Sequence, residues 1–255
     1  LLLANNLPRR DFLAIAGSLG GMTVLSWVYL LKMAGDMSAP GSPCMTAMQI
    51  QDWTAGYFGM MFLMWAVMMV GMMLPSAAPM ILIYASVARK AQRQGTPVAS
   101  ASTFTLGYIF MWVVFSFFVT IAQWQLDKLA LLSPMMVANS PRLGAGLLIA
   151  AGIYQWLPLK SNCLRHCRSP FHFISSHWRP GNLGAFLMGL SHGAFCIGCC
   201  WVLMLLLFVG GVMNILWIAA ITLFVLLEKA LPLGEWGGKL TGVLAAALGL
   251  MMFFK

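Results

Sequence analysis

The sequence predicts an all-α, polytopic transmembrane helix bundle of about seven spans, one domain over residues 1–255, with its N-terminus in the cytoplasm. Three observations carry that expectation. Of the 255 residues 61% are hydrophobic and 8% charged, which leaves too little polar surface to clothe a water-soluble domain. Apolar runs of near-membrane length recur along the whole chain, separated by short polar segments. The basic residues are also unevenly shared between the two sides that such runs define. Eleven fall inside (Arg9, Arg10, Arg89, Lys90, Arg93, Lys160, Arg165, Arg168, Arg179, Lys229, Lys239) and four outside (Lys32, Lys128, Arg142, Lys255), as the positive-inside bias requires. The net charge of +9 therefore sits in short loops and not on one continuous face. The expected partner is the lipid bilayer, with no nucleic acid.

Span one runs from about Phe12 to Met33, after Arg9 and Arg10, and its Gly17 and Gly21 form a small-xxx-small pair that lets a neighbouring helix come close. The following loop contains Asp36 and Asp52 and no basic residue, which suits the outer face, and its Met37, Cys44, Met45 and Met48 are soft donors that could collect Cu(I). Span two starts near Trp53 and is dense in methionine. Met61, Met64, Met68 and Met72 follow the spacing of one helical face, either as adaptable packing or as a thioether track. Pro75 and Pro79 each remove a backbone donor, so a kink is expected there, with Ser76 able to satisfy freed groups. Span three, about Ser102 to Trp124, is aromatic-rich and shows no evident chemistry.

Span four, about Leu143 to Leu157, follows Ser140 and Pro141, a natural N-cap and first helical residue. It leads into a basic inner segment in which Cys163 and Cys167 lie four residues apart with His166, Arg165 and Arg168 alongside. If helical, this segment puts both thiols on one side, where the basic neighbours favour thiolate. Two unengaged cytosolic cysteines are the alternative. His172 and His177 read as loop histidines. Span six covers Met213 to about Leu231 and ends with Glu228 and Lys229, and span seven runs from Leu240 to Phe254. Glu228 is the one carboxylate close to lipid depth, so it needs a cationic partner, with Lys160 or Arg165 the best candidates. Lys229, about 100° away on a helix, points elsewhere.

Span five, from about Gly184, carries the chemistry. On an α-helix Cys196 lies about 40° and Cys199 about 20° round from His192, with Cys200 about 80° away and Met188 four residues before the histidine on the same side. Imidazole with soft sulfur suits Cu(I), and Zn(II) second, far better than Mg(II) or Ca(II). One helix cannot close such a site, so other spans must contribute. Gly189 and Gly193 flank the histidine, which places span two, with Met64 and Met68, against it. Nine residues of helix separate His192 from the start of the span, so the Cys163/Cys167 pair and the His192/Cys196 group are expected to be separate stations.

The motifs MMLPSAAP, YQWLPLKSNCLRHCRSP and SHGAFCIGCCWVLMLLLFVGGVMNILWIAAITLFVLLEK, in that order between about Met60 and Lys229, resemble a bacterial family of unknown function described as predicted metal-binding integral membrane proteins. The resemblance implies a multi-pass protein of the bacterial inner membrane in which Cys163, Cys167, His192, Cys196, Cys199, Cys200 and Glu228 are the positions that matter. Three functions remain open: a soft-metal, chiefly copper, binding protein for handling or delivery; a non-catalytic accessory subunit of a larger membrane enzyme complex; and a membrane thiol redox protein using Cys199 and Cys200. No phosphate-binding loop or soluble nucleotide domain is present to support ATP-driven pumping. No catalytic residue is assigned.

Overall fold

A computed structural model describes residues 8–38, 53–95, 99–133, 136–231 and 234–254. The described chain is helical throughout, relieved by a single isolated bridge between Leu132 and Ala138. In chain order the helices are α1 (Arg9–Ser38), α2 (Ala55–Arg93), α3 (Ala101–Lys128), α4 (Pro141–Tyr154), α5 (Pro158–Arg168), α6 (Pro170–His177), α7 (Gly181–Leu205), the single turn α8 (Leu207–Gly210), α9 (Ile215–Ala230) and α10 (Gly234–Phe253). Four stretches are long and apolar enough to cross a membrane: Arg9–Asp36, Ala55–Arg93, Ala101–Lys128 and Gly181–Gly210. Helices α4 and α9, at 14 and 16 residues, are shorter than the roughly 20 residues of a full crossing. The soft-donor loop with Cys44, Met45, Met48 and Asp52 lies outside the described residues.

The long helices pack in the order α1, α2, α3, α7, and α5 lies against α7. Local chemistry explains each contact. Pro75 has no N–H, so the carbonyl of Gly71 four residues earlier is freed. Trp27 of α1 donates its indole Nε1 to that carbonyl at 3.3 Å. Gly71 also lets α1 close in, since a Cβ there would stand 2.9 Å from Ser26 Cβ. This is where α1 docks; Gly17 and Gly21, the pair expected to mediate packing, have nothing near the position of a side chain. Helix α2 continues through both prolines to Arg93, and Ser76 Oγ donates to Met73 O at 2.8 Å.

The backbones of α3 and α7 approach closely. A side chain at Gly107 would overlap the Phe186 carbonyl, one at Gly189 the Phe104 carbonyl, and one at Gly193 would stand 2.7 Å from Met111 Cβ. Glycines on both partners allow near backbone contact, the means by which membrane helices gain dispersion energy when lipid is as apolar as protein. The expected packing of span two against Gly189 and Gly193 is thereby corrected: α3 takes that groove, because its Gly107 has no side chain to hold it off. Helices α4 and α10 pair in the same manner through Gly152, Gly242 and Gly249.

Polar groups inside the bundle are largely paired, as burial demands. Trp65 Nε1 donates to Gln123 Oε1 at 2.5 Å, and Gln123 Nε2 donates to Met136 Sδ at 3.3 Å. At the ends, Thr54 caps α2 through Tyr57 N, Asn214 caps α9 through Trp217 N, and Trp53 Nε1 donates to Asp127 at 2.6 Å. Arg89 forms an ion pair with Asp11, joining the end of α2 to the start of α1.

Candidate metal centre

Helix α7 begins after Pro180 and carries a buried face of small and sulfur residues: Met188, His192, Cys196, Cys199 and Cys200 are each 0–3% exposed. The thiols of Cys199 and Cys200 turn back onto their own helix and donate to Cys196 O at 3.0 and 2.9 Å. Cys200 Sγ also stands 4.0 Å from Met73 Sδ of α2. Cys196 Sγ receives Lys229 Nζ at 2.9 Å and lies 3.2 Å from the Tyr108 hydroxyl, which also donates to Met73 O at 3.1 Å. Three helices, α3, α7 and α9, therefore meet at one sulfur atom, and α2 adjoins it through Met73, which touches both Tyr108 and Cys200.

A fifth helix joins them. The basic segment after span four is not a surface loop: each of Pro158 and Pro170 opens a short helix at the position where a missing N–H costs nothing, and α5 packs along α7. Gly198 makes room, since a side chain there would sit 2.7 Å from Cys163 Sγ. The Gly198 carbonyl in turn accepts the Tyr154 hydroxyl. The Cys196 and Cys199 thiols facing it, together with burial, hold the Cys167 thiol well above the ordinary range. Burial, and then the nearby Cys199, also push Cys163 up. The expectation of two separate stations is thus overturned. The Cys163/Cys167 pair and the α7 cysteines face one another across a single helix contact, because α5 packs along α7.

His192 is 3% exposed and sits among the rings of Tyr108, Phe173 and Phe104, with centroids at 5.5, 5.4 and 6.0 Å. Its Nδ1 has no hydrogen-bond partner, a rare state for a buried ring nitrogen. Met64 and Met68 are fully buried, but the thioether that meets the thiols is that of Met73. His177, read as a loop histidine, lies at the end of α6 with His172 in the same helix.

The end of α9 divides its two charges between two neighbours. Lys160 Nζ of α5 stands 2.5 Å from Glu228 Oε1, with side chains 4% and 7% exposed, and also donates to Gln155 Oε1. Arg168, at the other end of α5, donates Nε at 2.9 Å and its Nη2 to the Glu228 carbonyl. About 100° further round, Lys229 enters the sulfur cluster and donates to Ser76 Oγ at 3.0 Å as well. Lys229 is a candidate site residue that reading by sequence passes over, although an ammonium within an apolar helix is itself a signal. Tyr108 is the second. A phenol hydroxyl inside an otherwise apolar aromatic span needs a partner.

The donor set fits a soft metal ion: thiols of Cys167, Cys196, Cys199 and Cys200, the Met73 thioether, and an imidazole nitrogen without a partner. Among the described residues, no group of three or more His, Cys, Asp or Glu side chains stands in a metal-holding arrangement. Two of the thiols, Cys199 and Cys200, instead donate to the helix backbone, so loading an ion requires rotation of their χ1 torsions.

No curated protein and no solved structure matches the chain. Residues 62–252, which include every residue of the centre just described, match the family described as PpoB2, copper chaperone, and the chain belongs to that family.

Proposed function

We propose that this protein binds Cu(I) as cargo at the Cys167–Cys196–Cys199–Cys200 cluster, within a multi-pass bundle of the bacterial inner membrane, and hands the ion to a membrane enzyme. The observation that carries this reading is the meeting of thiols from α5 and α7 with the Met73 thioether and the Lys229 ammonium. Thiolate and thioether donors together select Cu(I) over harder ions. Charge arithmetic supports the same choice. Two thiolates on one Cu(I) carry a net charge of −1, which would be costly in an apolar interior. Lys229, already 2.9 Å from Cys196 Sγ, supplies the compensating +1 without occupying a coordination position. A chaperone must also release its ion, and thiols held by weak hydrogen bonds to Cys196 O can take back those bonds as the ion leaves.

The seven-span arrangement with a cytoplasmic N-terminus completes the proposal. Helices α4 and α10 pair side by side as one compact element, and the basic segment with α5 and α6 lies on the inner side, where copper would be exchanged. Zn(II) is the second ion to consider, since thiolates also bind it. His192 contributes as a reserve ligand through its unpartnered Nδ1.

The test is elemental analysis of the purified protein after anaerobic Cu(I) loading, for the native chain and for Cys196→Ser and Cys167→Ser. About one tightly held copper per chain is expected, lost in Cys196→Ser and weakened at least tenfold in Cys167→Ser. Unchanged copper content in both variants would remove the cluster as the binding site.

A further inference from the structure

Helices α1 and α3 each pack on α2, and the three together line a groove of about 1140 Å³ away from the thiol centre. Its walls come from the same end of all three helices: Asp11 to Met22 of α1, Ile81 to Arg93 of α2, and Ala101 to Ile109 of α3 with the two residues before it. At about 1.5 Å per residue these stretches extend about 17, 18 and 12 Å along the helix axes. That depth matches one leaflet of a bilayer whose hydrocarbon core is roughly 30 Å thick.

The groove changes character along its length. Its deep part is apolar, lined by Leu19 and Met22 of α1, Ile81 and Ala85 of α2, and Leu106 and Ile109 of α3. Ile81 and Ala85 form a buried floor, whereas Leu106 on the rim is 60% exposed. The groove therefore opens sideways from the bundle, in the direction from which a hydrocarbon chain arrives, and its apolar surface gains by being covered.

The mouth is polar and cationic. Arg89 and Arg93 stand there against one carboxylate, Asp11. Asp11 engages Nη1 of Arg89, which fixes that side chain and leaves its Nε and Nη2 to donate elsewhere. Arg93 is exposed and pairs with no described carboxylate. A guanidinium matches the oxygens of a phosphate in both shape and charge. Helix α3 starts at the same level: its N-cap, Ser100, turns its hydroxyl to Ser102 at 2.5 Å and caps no helix N–H, and its first turn has no acidic residue. The positive end of α3 thus adds to the arginines.

We propose that this groove binds one anionic phospholipid, with its phosphate at Arg89 and Arg93 and an acyl chain along Leu19, Ile81 and Leu106. A free phosphate would satisfy the mouth and leave the apolar walls uncovered; a lipid without net charge would cover the walls and leave the cationic mouth uncompensated. Basic sites between membrane helices recognise anionic headgroups in this way. The bound lipid braces α1, whose packing is chiefly on α2 and whose membrane-length window is only 17% buried, against α3. This rests on the reading of the chain as a multi-pass bundle and is independent of the copper reading.

The test is native mass spectrometry of the full chain in non-ionic detergent, titrated with phosphatidylglycerol, with phosphatidylcholine of the same acyl chains, and with inorganic phosphate. One phosphatidylglycerol per chain is expected, bound at least about fivefold more tightly than phosphatidylcholine. Arg93→Gln, a change at the exposed end of α2, weakens phosphatidylglycerol about fivefold, the effect of one cation near an anionic headgroup, and leaves phosphatidylcholine unmoved. Ala14→Trp, which fills the groove from the exposed face of α1, lowers the occupancy of both lipids. Equal binding of the two lipids, native phosphatidylglycerol affinity in either variant, or inorganic phosphate binding as tightly as phosphatidylglycerol overturns the lipid site alone. Release of the chain from native membranes by alkaline carbonate overturns the multi-pass reading and the lipid site together.

Discussion

Glu228→Gln removes the anion from the buried pair that holds α5 against the end of α9. At the 2.5 Å separation of Lys160 Nζ and Glu228 Oε1, the gross Coulomb attraction at an effective dielectric of 20 is about 6–7 kcal/mol. Much of that offsets the desolvation of two side chains that are only 4% and 7% exposed. What a single substitution reveals is the cost of leaving Lys160 charged and buried without its partner, about 3–5 kcal/mol. Glutamine keeps one oxygen able to accept from Lys160, and Arg168 still donates to the backbone carbonyl, so the loss falls at the lower end, about 3 kcal/mol. Equilibrium unfolding in detergent measures it. The copper titration reads a second consequence, because α5 carries Cys167: a loosened α5 weakens Cu(I) binding although Glu228 touches no ligand. Replacing both partners, Glu228→Leu with Lys160→Met, recovers most of the stability, since no uncompensated charge remains. A Glu228→Gln protein with native stability and native copper affinity would refute the role of this pair, and a double variant less stable than either single one would refute the desolvation argument.

Other outcomes follow from the same geometry. Met73→Leu, nearly equal in volume, lowers Cu(I) affinity while costing under about 1.5 kcal/mol of stability; Met64→Leu and Met68→Leu change neither, and competition with a chromogenic Cu(I) chelator distinguishes them. Gly189→Val forces a side chain into the Phe104 carbonyl and destabilises by at least the 1–3 kcal/mol typical of overpacking, seen as loss of the folded fraction in size-exclusion chromatography. Cu(I) affinity rises with pH: the Cys167 thiol is held well above its ordinary range, so it enters the site protonated near neutrality and each copper bound must displace its proton. The apparent affinity measured between pH 6 and 8 therefore increases, and the slope falls in Cys167→Ser.

The all-helical class of this chain, with helices long and apolar enough to cross a membrane, was readable in its sequence, because apolar runs of that length recur while only 8% of residues are charged. The 3.6-residue period likewise put His192, Cys196 and Cys199 on one buried face of α7 before any tertiary contact was known. Even the match of Glu228 with Lys160 was within reach, since a carboxylate near lipid depth demands a cation and few were available. The partners of that face were a different matter. Whether α2 or α3 fills the groove at Gly189 depends on Gly107 facing it, a relation between residues 82 positions apart that no local pattern encodes. The basic segment read as a boundary loop because its charges suit water, yet its two prolines start helices, the first of which lies along α7 and carries Cys167 towards Cys196. Lys229 shows the limit most clearly. Its angle to Glu228 was correctly about 100°, but only the packing of α9 against α2 and α7 decided that this direction ends at the sulfur of Cys196, because helical periodicity determines which way a side chain leaves its own helix and tertiary packing alone determines what it meets.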